Sequence, residues 1–137
     1  MFQLPFLIPA SESKIQLSES IGSIGSCFAE NIGRRLKDYK FNILSNAFGT
    51  IYNPISLSQI FNDDLADSAV IEHNGVHFHW QAHGEVSSLS REGLSQLISE
   101  RRSLLQHRLQ SSNWQIVTLG SSFAYRLKSS GQIVANC

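Results

Sequence analysis

Gly25-Ser26-Cys27-Phe28-Ala29-Glu30-Asn31-Ile32-Gly33 sets a hydroxyl and a thiol side by side where a glycine-punctuated apolar segment passes into an amphipathic one. Backbone N–H groups at the start of a helix have no intrahelical acceptor and can face an anion, including one that develops during a reaction. A serine seated there can attack a carbonyl while nearby amides receive the negative charge. A serine at the same position is also a favoured helix N-cap, so residue type alone leaves Ser26 open between nucleophile and cap. Cys27 has the same two sides. A thiolate gains stability at a helix N-terminus, whereas a small free cysteine commonly fills a buried space, and packing is the expectation for Cys27.

Four of the five histidines lie close together, at His73, His77, His79 and His83. His77 and His79 fall on one face of a strand, a spacing that can chelate a metal. No Cys, Asp or Glu ligand set clearly joins them, so ordinary polar positions on a half-exposed hairpin are the simpler expectation. Trp80 is a cleft or packing residue, and Trp114 a packing residue.

Periodicity supplies the elements that must position these groups. Ser20–Gly25 reads as a short glycine-rich strand. Phe28, Ile32, Leu36 and Tyr39 then recur on one helical face. Phe41–Leu44 reads as a second strand and Ser45–Thr50 as a loop. Asn53-Pro54 opens a helix through Ile55, Leu57, Ile60, Phe61 and Leu65. Val70–His73 and Val76–His79 flank Asn74-Gly75, a strong hairpin signal. A long helix follows over about Ser90–Gln110, with Leu94, Leu97, Ile98, Leu104, Leu105 and Leu109 on its apolar side. Trp114–Gly120 reads as a buried strand, and a second hairpin pairs Ala124–Leu127 with Gln132–Ala135. The order of elements predicts an α/β layer structure with a mainly parallel sheet and two added β-hairpins. Such sheets bind ligands beyond the carboxyl ends of their strands, which would place Ser26 and Gly120-Ser121-Ser122 on one edge.

Composition narrows the function classes. The 137 residues fit one domain, and 42% hydrophobic with 16% charged residues is a globular composition. Eleven basic residues balance eleven acidic ones, which gives no electrostatic footprint for nucleic acid. No apolar run approaches the ~20 residues of a membrane span, and the N-terminus lacks the basic region of a signal peptide. Two cysteines, Cys27 and Cys137, form neither a CxxC pair nor a disulfide framework, so a reduced, cytoplasmic setting is expected.

The chain resembles the GSCFA-domain family in Gly25-Ser26-Cys27-Phe28-Ala29 and its extension to Gly33. The likeness continues through Tyr39-Lys40-Phe41-Asn42, Phe48-Gly49-Thr50-Ile51-Tyr52-Asn53-Pro54, Glu72-His73-Asn74-Gly75, Tyr125-Arg126-Leu127-Lys128 and Val134-Ala135-Asn136-Cys137. That family looks like a branch of the SGNH/GDSL-type hydrolases. The resemblance implies a partial flavodoxin-like α/β/α sandwich and ester hydrolysis or acyl transfer on a small acyl-ester substrate, such as an acylated carbohydrate. It puts Ser26 at the nucleophile position, and the Ser26 and Gly49 amides at the oxyanion position. His83 matches a family histidine and is a candidate for substrate contact or for a structural hydrogen bond. No cofactor and no metal are implied.

The chain departs from the pattern twice. Where SGNH proteins have Gly-x-Asn and GSCFA proteins Thr-Ala-Trp after the glycine, this chain has Gly120-Ser121-Ser122-Phe123, leaving Ser121 or Ser122 as an auxiliary polar contact. The Ser-Pro-Val-x-His stretch that the family carries beyond its Val-Ala-Asn-Cys motif is not among the 137 residues. The expectation is that residues 1–137 are the N-terminal part of a single domain whose C-terminal part, with the base and its acid, is absent. Such a chain would be inactive alone and prone to self-association through an exposed sheet edge. A non-catalytic binding domain that keeps the fold is the main alternative, and a histidine metal-binding module is the lesser one.

Overall fold

A computed structural model of the chain describes residues 6–135. Three parallel strands, β1 (Ser20–Gly25), β2 (Asn42–Ser45) and β6 (Trp114–Thr118), form a sheet in the order β2-β1-β6. Helix α1 (Cys27–Asp38) links β1 to β2, and α3 (Arg91–Ser111) precedes β6. Register pairs Ile21 with Ile43 and Ser23 with Ser45. Gly33 of α1 lies directly against the Ser45 side chain, so that face of the sheet belongs to α1. Gly22, on the opposite face by strand alternation, lies against Arg108 and Ser112 at the end of α3. The result is a three-layer α/β/α arrangement. Most of the buried core lies on the α3 face, where Ile24, Ala47, Phe48, Leu57, Ile60, Leu94, Ile98 and Leu105 pack together.

Several expectations need correction. Phe28 and Tyr39 are 60% and 74% exposed; α1 buries Ala29 and Gly33 instead, with Ile32 and Leu36 half-buried beside them. Small residues let the helix axis approach the sheet closely, and the contact stripe rotates toward them. β6 is half-exposed rather than buried. It forms an edge among the described residues, and its Val117 is 50% exposed. Trp114 is half-buried, with its indole N–H donating to Glu19 at 2.8 Å. Helix α2 (Pro54–Phe61) stops before Leu65, and Leu104 of α3 is turned outward.

The first hairpin joins β3 (Val70–His73) to β4 (Val76–His79), with Asn74 and Gly75 both at positive φ as a two-residue turn requires. β5 (Ser87–Ser88), which the pattern did not announce, adds a third strand beside β4. β7 (Tyr125–Arg126) and β8 (Ile133–Val134) form the second hairpin. No helix among the described residues is long and apolar enough to cross a membrane.

His79 is a structural histidine, only 4% exposed. Its Nδ1 accepts the Gln81 N–H at 3.1 Å, which leaves Nε2–H to donate to the Ala66 carbonyl at 3.1 Å. Burial holds its pKa below the ordinary 6.5, against weaker upward pulls from the Ala66 hydrogen bond and Asp67. The unfolded chain therefore binds a proton that the folded chain refuses. The stability due to neutral His79 is full above the unfolded pKa and is lost as pH falls through the folded one. A urea midpoint followed from about pH 8 down to pH 5 is expected to drop, and His79→Gln to flatten the part of that drop near neutrality. An equal slope in the two proteins would refute this.

Candidate active site

β1 ends at Gly25, whose φ of 135° belongs to glycine, and the chain turns into α1 through Ser26. Ser26 is the helix N-cap: its Oγ accepts the Phe28 N–H at 3.3 Å. It is also 6% exposed and lies 3.0 Å from the Thr118 hydroxyl. The Ser26 N–H donates to both the carbonyl and the hydroxyl oxygen of Thr118, each at 3.0 Å. The Ser26 and Thr118 hydroxyls share one hydrogen bond that either can donate, so Thr118 can give its hydrogen to Ser26 Oγ and leave the serine's own for a base. Cap and candidate nucleophile are thus the same residue.

The loop after β2 is the framework of the site. Asn46, 4% exposed and at φ 44°, accepts the Gly25 N–H on Oδ1 at 2.8 Å. Its own N–H donates to Ser23 and its carbonyl accepts the Gly49 N–H, both at 2.8 Å. Ile51 N–H donates to the Gly25 carbonyl at 2.8 Å, and Arg101 of α3 reaches the Ala47 carbonyl at 3.2 Å. Farther along, the Tyr52 carbonyl accepts the N–H groups of Gly120 and Ser121, both at 3.0 Å. Asn53 caps α2 and donates to the carbonyls of Val134 and Ala135.

Register sets Gly25 beside Thr118 on parallel strands, so the two serine-bearing turns do share an edge. A methyl group added at Gly120 would stand 3.0 Å from Ser26 Cβ. Ser121 spends its hydroxyl on its own turn, accepting the Phe123 N–H at 3.0 Å, and Ser122 is exposed. Gly49, at φ 77°, lies directly against His83, whose N–H donates to the Phe48 carbonyl at 3.2 Å. His83 Nδ1 accepts the Glu85 N–H at 3.3 Å and stands 3.5 Å from the Glu85 carboxylate. With Nδ1 accepting, the ring hydrogen sits on Nε2.

Cys27 is exposed rather than packed. It neighbours Tyr52, whose phenol titrates above its ordinary value because negative charge on the Cys27 sulfur opposes a second one, with burial and a hydrogen bond to Cys27 adding to the effect. Among the described residues no group of three or more His, Cys, Asp or Glu is placed to hold a metal, and both ring nitrogens of His79 are occupied. Asn136 and Cys137 lie outside the described residues.

Thr118, Asn46, Tyr52 and Glu85 were not legible as site residues. For Asn46 a signal existed: an asparagine just after a strand tolerates left-handed backbone and offers both an acceptor and a donor. For Thr118 there was none, because a threonine in a β-rich run reads as strand propensity.

The fold and site define an α/β/α domain with a serine at the β1–α1 turn, faced by the loops after β2 and β6. The chain belongs to the GSCFA family, whose model matches residues 20–137. Neither the curated proteins nor the solved structures include a match to it.

Proposed function

We propose that this domain performs serine-dependent acyl chemistry of the SGNH type, ester hydrolysis or acyl transfer, with Ser26 as nucleophile. The observation that carries the proposal is the seat of Ser26: a near-buried hydroxyl at a helix N-terminus, paired with Thr118 and faced by Gly120. Gly49 and His83 are proposed to meet the substrate, with Ser121 and Ser122 as polar contacts on the far side. Among the described residues the hydrogen-bond partners of Ser26 Oγ are Thr118 and the Phe28 amide, and neither is a base. An unactivated serine is a weak nucleophile. Residues 1–137 alone are therefore expected to turn over small acyl esters negligibly.

The test is covalent labelling of the protein expressed from its intact gene, using a fluorophosphonate. The adduct is expected on Ser26 and is expected to vanish in Ser26→Ala. A second reading, a binding domain without turnover, draws on the commitment of the Ser26 and Gly49 amides to Thr118 and Asn46. Absence of any Ser26 adduct would favour it. Strong Ser26-dependent hydrolysis by residues 1–137 alone would overturn the requirement for an added base.

A further inference from the structure

We propose that the pocket between the first hairpin and the segment after β4 binds an apolar acyl group, and so sets the substrate class of the site; this rests on the acyl-ester reading of Ser26. The pocket has a volume of about 330 Å³ and is lined by Ile71, Phe78, His79, Trp80, Ala82, His83 and Gly84. That volume lies at the lower end of small-molecule sites, about 300–1,000 Å³. Ile71 and Phe78 are cross-strand partners on β3 and β4, which gives the pocket a continuous apolar wall.

Its polar groups decide the ligand. His79 contributes only its ring, since Nε2 is bonded to the Ala66 carbonyl and Nδ1 to the Gln81 amide. Among the described residues no carboxylate or amide side chain lines the pocket, so nothing among them matches an array of sugar hydroxyls. His83 is different: it lines the cavity, and with Nδ1 accepting the Glu85 N–H its remaining donor is Nε2–H. Trp80 adds an apolar ring and one indole N–H to the lining, and an apolar body with acceptor oxygens at its end, such as an acyl chain with its carbonyl or carboxylate, fits that inventory. Direction follows from Gly49, which abuts His83 and belongs to the loop that braces Gly25 and Ser26. The acyl carbon would then point along His83 and Gly49 toward the serine, with any sugar or alcohol portion of the ester outside the pocket.

Calorimetric titration with sodium decanoate, sodium acetate and N-acetylglucosamine tests the assignment without requiring turnover. Decanoate is expected to bind at least about tenfold more tightly than acetate, and the sugar to give no heat. Gly84→Leu should weaken decanoate by about tenfold or more. A Cβ at Gly84 meets nothing within 4 Å, so the fold should tolerate the leucine. Ile71→Ser, which roughens the apolar wall, gives an independent loss should Gly84→Leu fold poorly. Decanoate binding no tighter than acetate, sugar binding of equal strength, or full affinity in the pocket variants would overturn the inference. Ser26→Ala should retain decanoate binding. Loss of binding with Ser26 labelling intact would remove the pocket assignment alone, and binding without labelling would remove the nucleophile alone.

Discussion

Gly25→Ala is expected to cost about 3–5 kcal/mol of folding stability, the sum of a strained left-handed residue and an overpacked contact. The backbone at Gly25 sits at φ 135°, and an added Cβ would run directly into the Thr118 carbonyl oxygen. That oxygen belongs to the backbone of the paired strand, so a rotamer change cannot move it aside. Relief requires shifting β6 away from β1 or rotating the Gly25-Ser26 peptide. Either movement breaks the Ser26 N–H bonds to Thr118 and the Gly25 N–H bond to Asn46. Typical domains hold about 5–15 kcal/mol in total, so the loss is a large share of the whole. The check is a urea midpoint, paired with fluorophosphonate labelling of the protein from its intact gene. Labelling should fall even under conditions where the variant remains folded. A Gly25→Ala protein with unchanged midpoint and normal labelling would show that the turn does not depend on this backbone geometry. The same reasoning explains why the serine follows a glycine: the strand end must come close enough to β6 for a hydroxyl pair to form across it.

Strong local patterns were legible in the sequence, and compromises between layers were not. Asn74-Gly75 set the register of the first hairpin because two-residue turns with positive φ at both positions admit few residue types. The extent of α3 followed from the leucine spacing, and the structure adds Ser90 as its cap. The face of α1 was misassigned because Phe28 outweighs Ala29 and Gly33 in any hydrophobicity pattern, whereas packing distance favours the small residues. β6 looked buried because its β-rich composition says nothing about how many neighbours a strand has, and it has one among the described residues. At the site, Ser26 stood out through its neighbours in sequence. Its partner Thr118 lies 92 residues away and is brought in only by the parallel pairing of β1 with β6. Asn46 had to be seen holding the Gly25 amide before its role could be named.

Phe48→Ala is the second large loss expected, about 3–5 kcal/mol for emptying a buried aromatic position. Phe48 is 1% exposed, the largest of the fully buried side chains among the described residues, and it stands in the loop that braces the serine turn. Its two neighbours in the loop are tied to other elements: the Ala47 carbonyl to Arg101 of α3, and the Gly49 amide to Asn46. Its own carbonyl holds the His83 amide. The phenyl ring therefore anchors in the core a segment whose polar backbone organises the site. Removing it should loosen Gly49 and His83 together, so that decanoate affinity and Ser26 labelling decline along with stability. Phe28→Ala is the matched control, because Phe28 is 60% exposed and follows the serine by two residues. Its truncation should shift stability by no more than about 0.5 kcal/mol. Similar midpoints for the two variants would mean that the loop is held by its hydrogen bonds alone. A large gap between them, with site properties following Phe48, would show that the hydrophobic core on the α3 face supports the position of the serine turn.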